Sequence, residues 1–230
     1  MKFAVIAAGE GSRLRSEGIT EPKPLVTLAG ETLIARLCRI FAECGADEIV
    51  VVTRPETESQ LRETVLPQSV PLRILSRLTP SSMHSFAEIA PLLHDAAFCL
   101  TTVDTVFRED EFAAYIKAFR ETDDCCDGLW AVTPFIDDEK PLYIETRDDM
   151  ITKFGDTRGE ARVVSGGIYC MKPQCLPTLH RCLREGVSRM RNFQRGLLDD
   201  GLKLRAFEFK KIVDIDHARD IEKAEEFLRR

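Results

Sequence analysis

Apolar runs of four to seven residues alternate with amphipathic stretches through the first half of this chain. Phe3–Ala8 is nearly all apolar, and Glu48–Thr53 (EIVVVT), Leu72–Leu75 and Ala97–Val103 (AFCLTTV) repeat that texture. Between them Leu33/Ile34, Leu37/Cys38 and Phe41 recur at helical spacing. A polar helix is predicted around Glu56–Val65, and Phe86, Ile89, Ala90 and Leu93 outline a third helical face. Strands that are apolar on both sides, separated by helices, imply a buried and mostly parallel sheet with right-handed crossovers. Pro91 falls inside the third helix, where its missing donor should kink or end it.

After Asp104 the texture changes. A helix around Asp110–Arg120 leads into Gly128–Thr133, Pro141–Thr146, Ile151–Phe154 and Arg162–Met171, all strand-like and joined by short turns. These are expected to extend the sheet and to form an antiparallel substrate-binding region. Helices near Gln174–Glu185 and Ser188–Leu198 follow, then a strand at Leu204–Phe209, the apolar pair Ile212-Val213, and a last helix using Ile221, Ala224 and Leu228. Arg189, Arg191 and Arg195 flank Met190, Phe193 and Leu197, which carry the spacing of a buried stripe, so the arginines read as a solvated face. No repeat, low-complexity tract or linker interrupts the chain. One domain over residues 1–230 is expected, with a nucleotide-binding half (1–107) and an acceptor-binding half that includes a C-terminal metal segment (108–230).

The 230 residues carry 32 basic and 38 acidic side chains, a net charge of −6. That excludes a broad basic surface, so nucleic acid is not an expected partner. No stretch reaches the roughly 18 apolar residues of a membrane span, and a strand beginning at Phe3 leaves no room for a cleavable signal. The expected location is cytoplasmic, without membrane attachment. Six of the eight cysteines (Cys38, Cys44, Cys99, Cys170, Cys175, Cys182) lie on or beside apolar faces and read as small hydrophobes. Cys125 and Cys126 are adjacent, no C-x-x-C pair occurs, and neither zinc nor redox chemistry is expected there.

The chemistry starts where the first apolar run stops, at Gly9-Glu10-Gly11-Ser12-Arg13. Glycines after a strand free backbone N–H groups to face a ligand and let it come close. Arg13 adds a planar donor fork suited to phosphate oxygens, and Pro22-Lys23-Pro24 fixes a second cation between two rigid residues. A dinucleotide fingerprint fails because Leu14 occupies its third glycine position, and the Walker spacing fails as well. The stretch Ala7-Ala8-Gly9-Glu10-Gly11-Ser12-Arg13-Leu14, followed by Pro22-Lys23-Pro24-Leu25, resembles instead the sugar-phosphate nucleotidyltransferase superfamily, with its A-A-G-x-G-[ST]-R-L loop and P-K-P-L segment.

That resemblance implies an α/β fold: a Rossmann-like three-layer αβα sandwich of the glycosyltransferase-A type, with a mixed, mostly parallel central sheet. It also implies transfer of a nucleoside monophosphate from an NTP to a sugar 1-phosphate, with Mg²⁺ as cofactor and pyrophosphate as the second product. Arg13 would hold the β- and γ-phosphates, Lys23 would bridge the α-phosphate and the incoming phosphate, and the amides of Gly9, Gly11 and Ser12 would cradle the triphosphate. Ala7, Ala8 and Gly9 would offer backbone groups to the base. Leu100–Phe107 resembles the family's L-x-x-G-D-x-x-F metal segment, with Val103 in place of glycine. Val213-Asp214-Ile215-Asp216 resembles its W-x-D-I-G/D segment without the tryptophan. Asp104 and Asp214 are therefore the expected metal ligands, with Asp104 also emerging at the carboxyl edge of the sheet, where open α/β sheets bind ligands. Asp216, just before the last helix, is read as a cap.

Ser82 and Ser85 are read either as base or ribose contacts or as helix-capping residues, Ser85-x-x-Glu88 having the form of a capping box. Ser165-Gly166-Gly167-Ile168-Tyr169 resembles the segment lining the sugar pocket, which makes Gly166, Gly167 and Tyr169 candidate acceptor contacts beside the bulge-and-core reading. Lys153 stands near the family's acceptor-phosphate lysine, or is an exposed strand residue. The four histidines receive no role. A cytidylyltransferase for phosphocholine or a polyol phosphate is the alternative within the class, and a molybdenum-cofactor guanylyltransferase a further variant. A non-catalytic sugar-nucleotide sensor is the alternative outside it. No β-helical acyltransferase domain is expected, and Val103-Asp104-Thr105-Val106 lacks the second Asp of a glycosyltransferase D-x-D motif.

Overall fold

The computed structural model describes residues 1–64, 69–122, 126–137 and 139–229. Val65, at the end of the predicted polar helix, and Cys125 lie outside the described residues.

In chain order the elements are β1 (Lys2–Ala7), α1 (Ser12–Ser16), the hairpin β2 (Thr27–Leu28) and β3 (Glu31–Thr32), α2 (Leu33–Glu43), β4 (Glu48–Thr53), α3 (Pro55–Glu63), β5 (Leu72–Ser76), α4 (Ser82–Ile89), β6 (Phe98–Thr102) and β7 (Thr105–Val106). The second half adds α5 (Glu109–Arg120), β8 (Gly128–Thr133), β9 (Tyr143–Arg147), β10 (Met150–Gly155), β11 (Val163–Met171), α6 (Leu176–Arg184), α7 (Met190–Asp199), β12 (Leu204–Glu208), β13 (Val213–Asp214) and α8 (Ala218–Arg229). Nine strands form one sheet in the order β5-β4-β1-β6-β11-β8-β12-β10-β9. β5, β4, β1 and β6 run parallel, and β11 enters antiparallel between β6 and β8. The sheet thus passes through both halves of the chain without a break.

Alternation along β1 explains the three layers. Phe3, Val5 and Ala7 face one side and pack with Leu37, Phe41 and Phe112, whereas Ala4 and Ile6 face the other with Met83, Phe86 and Phe193. Successive strand side chains point to opposite faces, so a strand buried on both sides must be apolar throughout. Helix α2 starts where Thr32 caps it, its hydroxyl accepting from Ala35 N, and α4 starts at Ser81, which accepts from His84 N. The cap is therefore Ser81 and not Ser85, and Glu88 pairs with Arg77 at 3.0 Å instead of closing a capping box. Pro91 does end its helix: α4 stops at Ile89 and a single 3₁₀ turn spans Ala90–Leu92. Arg191 and Arg195 do not simply point to water but converge on Asp156 at the end of β10, at 3.0 and 2.7 Å.

Seven cysteines are free among the described residues, and burial pushes the Cys38 and Cys175 thiols up to about 12, leaving them inert. Among the described residues no helix is long and apolar enough to cross a membrane.

Candidate active site

The site lies at the carboxyl edge of β1, β4 and β6, the edge at which parallel strands in open sheets present ligands. β1 ends at Ala7, and the chain turns through Gly9 and Gly11 into α1. Gly11 has φ +60, the left-handed region open to glycine, and a Cβ there would stand 3.5 Å from Lys23 Cβ. A Cβ on Gly9 would meet nothing within 4 Å, so its backbone faces open space. α1 itself escapes a reading of apolar spacing because it has only five residues and one buried side chain, Leu14.

Two carboxylates reach the same edge by different routes. Asp104 follows β6 in the tight turn to β7, held by a hydrogen bond between the Thr102 and Thr105 hydroxyls at 2.8 Å. Asp214 arrives because β13 pairs with β7, Val213 opposite Val106 and Asp214 opposite Thr105, while Ile215 N donates to Asp104 O at 3.1 Å. Gly166 and Gly167 make room for this ribbon. A Cβ on Gly166 would fall 2.2 Å from Ile212 Cδ1, and Gly167, at φ +75, would place one 3.2 Å from Thr105 Oγ1.

Lys23 occupies the centre. Its Nζ donates to Asp104 Oδ2 at 2.5 Å and to Asp216 Oδ1 at 2.8 Å, and Arg13 Nη1 donates to Asp216 Oδ2 at 2.9 Å. Burial works against the Lys23 charge, but the two carboxylates outweigh it and raise its pKa above the ordinary value, so the ammonium is retained. Burial likewise opposes ionisation of Asp104, and the Lys23 ammonium nevertheless holds that carboxyl below its usual value. Asp214 makes no ion pair among the described residues, and Lys23 and the Thr105 hydroxyl favour its charge less than its surroundings oppose it. Removal from bulk water and the charges of Asp104 and Asp216 push it up, to about 8, although the side chain remains open to the cleft and water screens part of that shift.

Asp216 is not a cap. Asp220 Oδ2 accepts from Asp216 N and His217 N, and Glu17 Oε2 accepts from Ala218 N, so the start of α8 is satisfied by other carboxylates. The Asp216 carboxylate is thereby free to join the cations, a role sequence reasoning missed. The alternation Asp214-Ile215-Asp216 was the available signal, since Ile215 is buried and both neighbours face outward.

Two clefts meet at Arg13 and Asp216. The larger, about 670 Å³, runs over Ala7–Ser12 to Arg54, Thr79, Ser82 and Ser85, with Lys23 and Asp104 on its other wall. The second lies beneath Asp214 and is bordered by Thr133, Phe135, Glu139, Ser165 and Gly166. Ser85 is buried and bonded to Thr79 Oγ1 at 2.6 Å and to Ser81 O, whereas Ser82 is more open. Tyr169 lies in the core under the second cleft. Its hydroxyl accepts from Gln194 Nε2 at 3.2 Å, while Gln194 Oε1 accepts from Trp130 Nε1 and Ser165 Oγ. Lys153 is exposed on β10 and paired with Glu145 at 2.8 Å, outside the residues that line either cleft.

Whether this rim suits a divalent cation is decided by its donors. Asp104 Oδ1 is buried with no hydrogen-bond partner among the described residues, and the neighbouring Asp214 is crowded by like charge. An orphaned carboxylate oxygen beside a second, repelled carboxylate fits a cation that takes one or two carboxylates and completes its shell with water and phosphate. Among the described residues no cluster of three or more His, Cys, Asp or Glu side chains forms a self-contained metal cage.

A sheet edge carrying a glycine loop, two fixed cations and paired carboxylates defines a nucleotide-handling α/β protein. Residues 3–200 match the MobA-like NTP transferase domain, and the chain belongs to that family of nucleotidyltransferases. The bifunctional protein GlmU of Methylibium petroleiphilum is 28% identical over 165 residues, covering 70% of this chain and 33% of that protein. GlmU of Francisella tularensis subsp. novicida is 24% identical over 188 residues, covering 76% and 38%. The chain thus spans about a third of the length of these curated relatives. An inositol-1-phosphate CTP transferase from T. maritima superposes with a TM-score of 0.80 at 19% identity, covering 99% of this chain and 97% of that one. UDP-glucose pyrophosphorylase from Acinetobacter baumanii superposes at 0.75 and 15% identity, covering 97% and 91%. At those identities the likeness is one of fold.

Proposed function

We propose that the protein transfers a nucleoside monophosphate from an NTP to a sugar 1-phosphate in the cytoplasm, releasing pyrophosphate, and that the reaction depends on Mg²⁺. The observation that carries this reading is the meeting of Lys23 with Asp104 and Asp216 beside Arg13, at the junction of the two clefts. A group placed at that junction touches both a nucleotide lying over the glycine loop and an acceptor lying beneath Asp214.

Asp104 and Asp214 would hold the metal ion, which when bound neutralises charge on the phosphates. Lys23 and Arg13 are positioned in advance by carboxylates, and incoming phosphate oxygens exchange for those carboxylate partners. Arg13 meets the terminal phosphates with its planar fork, and Lys23 lies where the α-phosphate and the acceptor phosphate come together. An acceptor phosphate oxygen attacks the α-phosphorus in line, forming the new P–O bond as the bond to the β-phosphate oxygen breaks and pyrophosphate leaves. The attacking oxygen is already ionised, so no side chain needs to take a proton. Orientation and fixed charge account for the catalysis.

A second reading, cytidylyl transfer to phosphocholine, has Glu139 in the acceptor cleft to meet a cationic head, Phe135 and Asp137 being already engaged by the ammoniums of Lys211 and Lys223. Pyrophosphate release from each common NTP against glucose 1-phosphate, inositol 1-phosphate and phosphocholine, with Mg²⁺ and with chelator, tests both readings. Turnover with a sugar phosphate only in Mg²⁺ is the expected result. Nucleotide binding without pyrophosphate release from any pair would mark a sensor.

A further inference from the structure

Arg54 stands at the end of the nucleotide cleft away from the charged rim. Thr53, the last residue of β4, pairs with Ala7, so Arg54 comes level with Ala8 at the start of the glycine loop. The sheet order puts β4 and β6 on opposite sides of β1, hence Arg54 and Asp104 on opposite sides of the loop. The Arg54 side chain lines the cleft with Ala7, Ala8, Thr79, Ser82 and Ser85, and it is 22% exposed. Its Nε donates to Glu56, and Glu10 Oε1 stands 3.7 Å from Nη1, a charge contact too long for a hydrogen bond. The guanidinium is therefore anchored along one edge, and neither Nη1 nor Nη2 makes a hydrogen bond to any described residue.

With Arg13 and Lys23 at the phosphate end, the cleft wall beside Arg54 is Ala7, Ala8, Thr79, Ser82 and Ser85, small apolar residues and hydroxyls that suit a base and ribose. Glu10 and Glu56 flank the guanidinium and line a neighbouring hollow with Ser12 and Arg15. A terminal guanidinium fork offers two parallel donors and no acceptor. It matches a base edge with two adjacent acceptors, as in O6 and N7 of guanine or O2 and N3 of cytosine. Adenine places an amino donor beside N7 and beside N1, and uracil and thymine carry an N3–H between their carbonyls, so each opposes the fork with a donor.

We propose that Arg54 selects the base and that the nucleotide is GTP or CTP. This rests on the nucleotidyl-transfer reading, and the experiment separates the two. Binding of GTP, CTP, UTP, dTTP and ATP to the full chain is measured by calorimetry, and pyrophosphate release is followed with the same five nucleotides. GTP or CTP should exceed the others by about 100-fold or more in affinity or in kcat/KM, because a donor facing a donor leaves polar groups unpaired. Arg54→Ala should lower the value for the preferred base about 10–100-fold, the span of one bidentate contact, and leave the other bases unchanged. Arg54→Lys, which keeps the charge and the fold but loses the fork, should fail to restore the preference. A wild-type preference for ATP, UTP or dTTP overturns the inference while leaving nucleotidyl transfer intact. So does an equal loss for all five nucleotides in Arg54→Ala, which would put Arg54 on the phosphates. Absence of binding by every triphosphate would overturn both.

Discussion

The two halves of the molecule treat their motif residues differently. On the nucleotide side, the residues that stand out in the sequence reach the cleft: Gly9 faces nothing, Arg13 is exposed at the rim, and Lys23, though largely buried, lines the cleft between Asp104 and Asp216. On the acceptor side, most of the corresponding residues are taken up by packing. Gly166 accommodates Ile212, Gly167 accommodates Thr105, Tyr169 is sealed under Gln194, and Lys153 is spent on Glu145. A loop can expose whatever its sequence carries, whereas alternate residues of a central strand must enter the core. The acceptor segment therefore supports the rim from below, and its substitution should register first in stability, whereas substitutions on the nucleotide side should register first in turnover.

The strongest test of that contrast is Asp104→Asn. The amide keeps the shape of the turn but cannot hold a cation or balance Lys23, and turnover should fall by roughly 10²–10³ with the circular dichroism spectrum unchanged. Retention of pyrophosphate release would remove Asp104 from the chemistry. Next comes Gly166→Ala, whose new methyl collides with Ile212 and Ala131 O. It should cost roughly 1–3 kcal/mol in denaturant unfolding, and Ile212→Val in the same chain should recover part of the loss.

A smaller effect separates the rim from its support by pH. Asp214 binds its proton more tightly in the folded chain than in the unfolded one. The stability this gives is complete at acid pH and is lost as pH rises from the ordinary carboxylate range through about 8. In the presence of chelator, Asp214→Asn should therefore flatten the fall in Tm between mildly acid pH, about 5, and about 8. A wild-type Tm that does not decline over that interval would contradict the crowding of Asp104, Asp214 and Asp216. Smallest of all, Lys153→Ala removes an exposed pair, should change stability by less than about 1 kcal/mol, and should leave the acceptor KM unaltered. A raised acceptor KM would return Lys153 to the site.

Apolar spacing alone placed the parallel strands and most helices, because a strand buried on both faces and an amphipathic helix each leave a local signature. It also explains what was overlooked. The pattern that marks Asp104, a polar residue just past an apolar strand, applies equally to Arg54 after EIVVVT, which sits outside the resembling motifs. The loop, the two cations and both aspartates were thus written in the chain as types and spacings. Their partnership was not. Lys23 meets Asp104 across 81 positions and Asp216 across 193, and Arg13 meets Asp216 across 203. Those meetings follow from sheet order, from the β7–β13 pairing and from two glycines thin enough to let that ribbon settle. Such long-range choices depend on which faces pack together, and no local pattern encodes that. Local propensity decided the elements, and tertiary packing decided which charges share a rim.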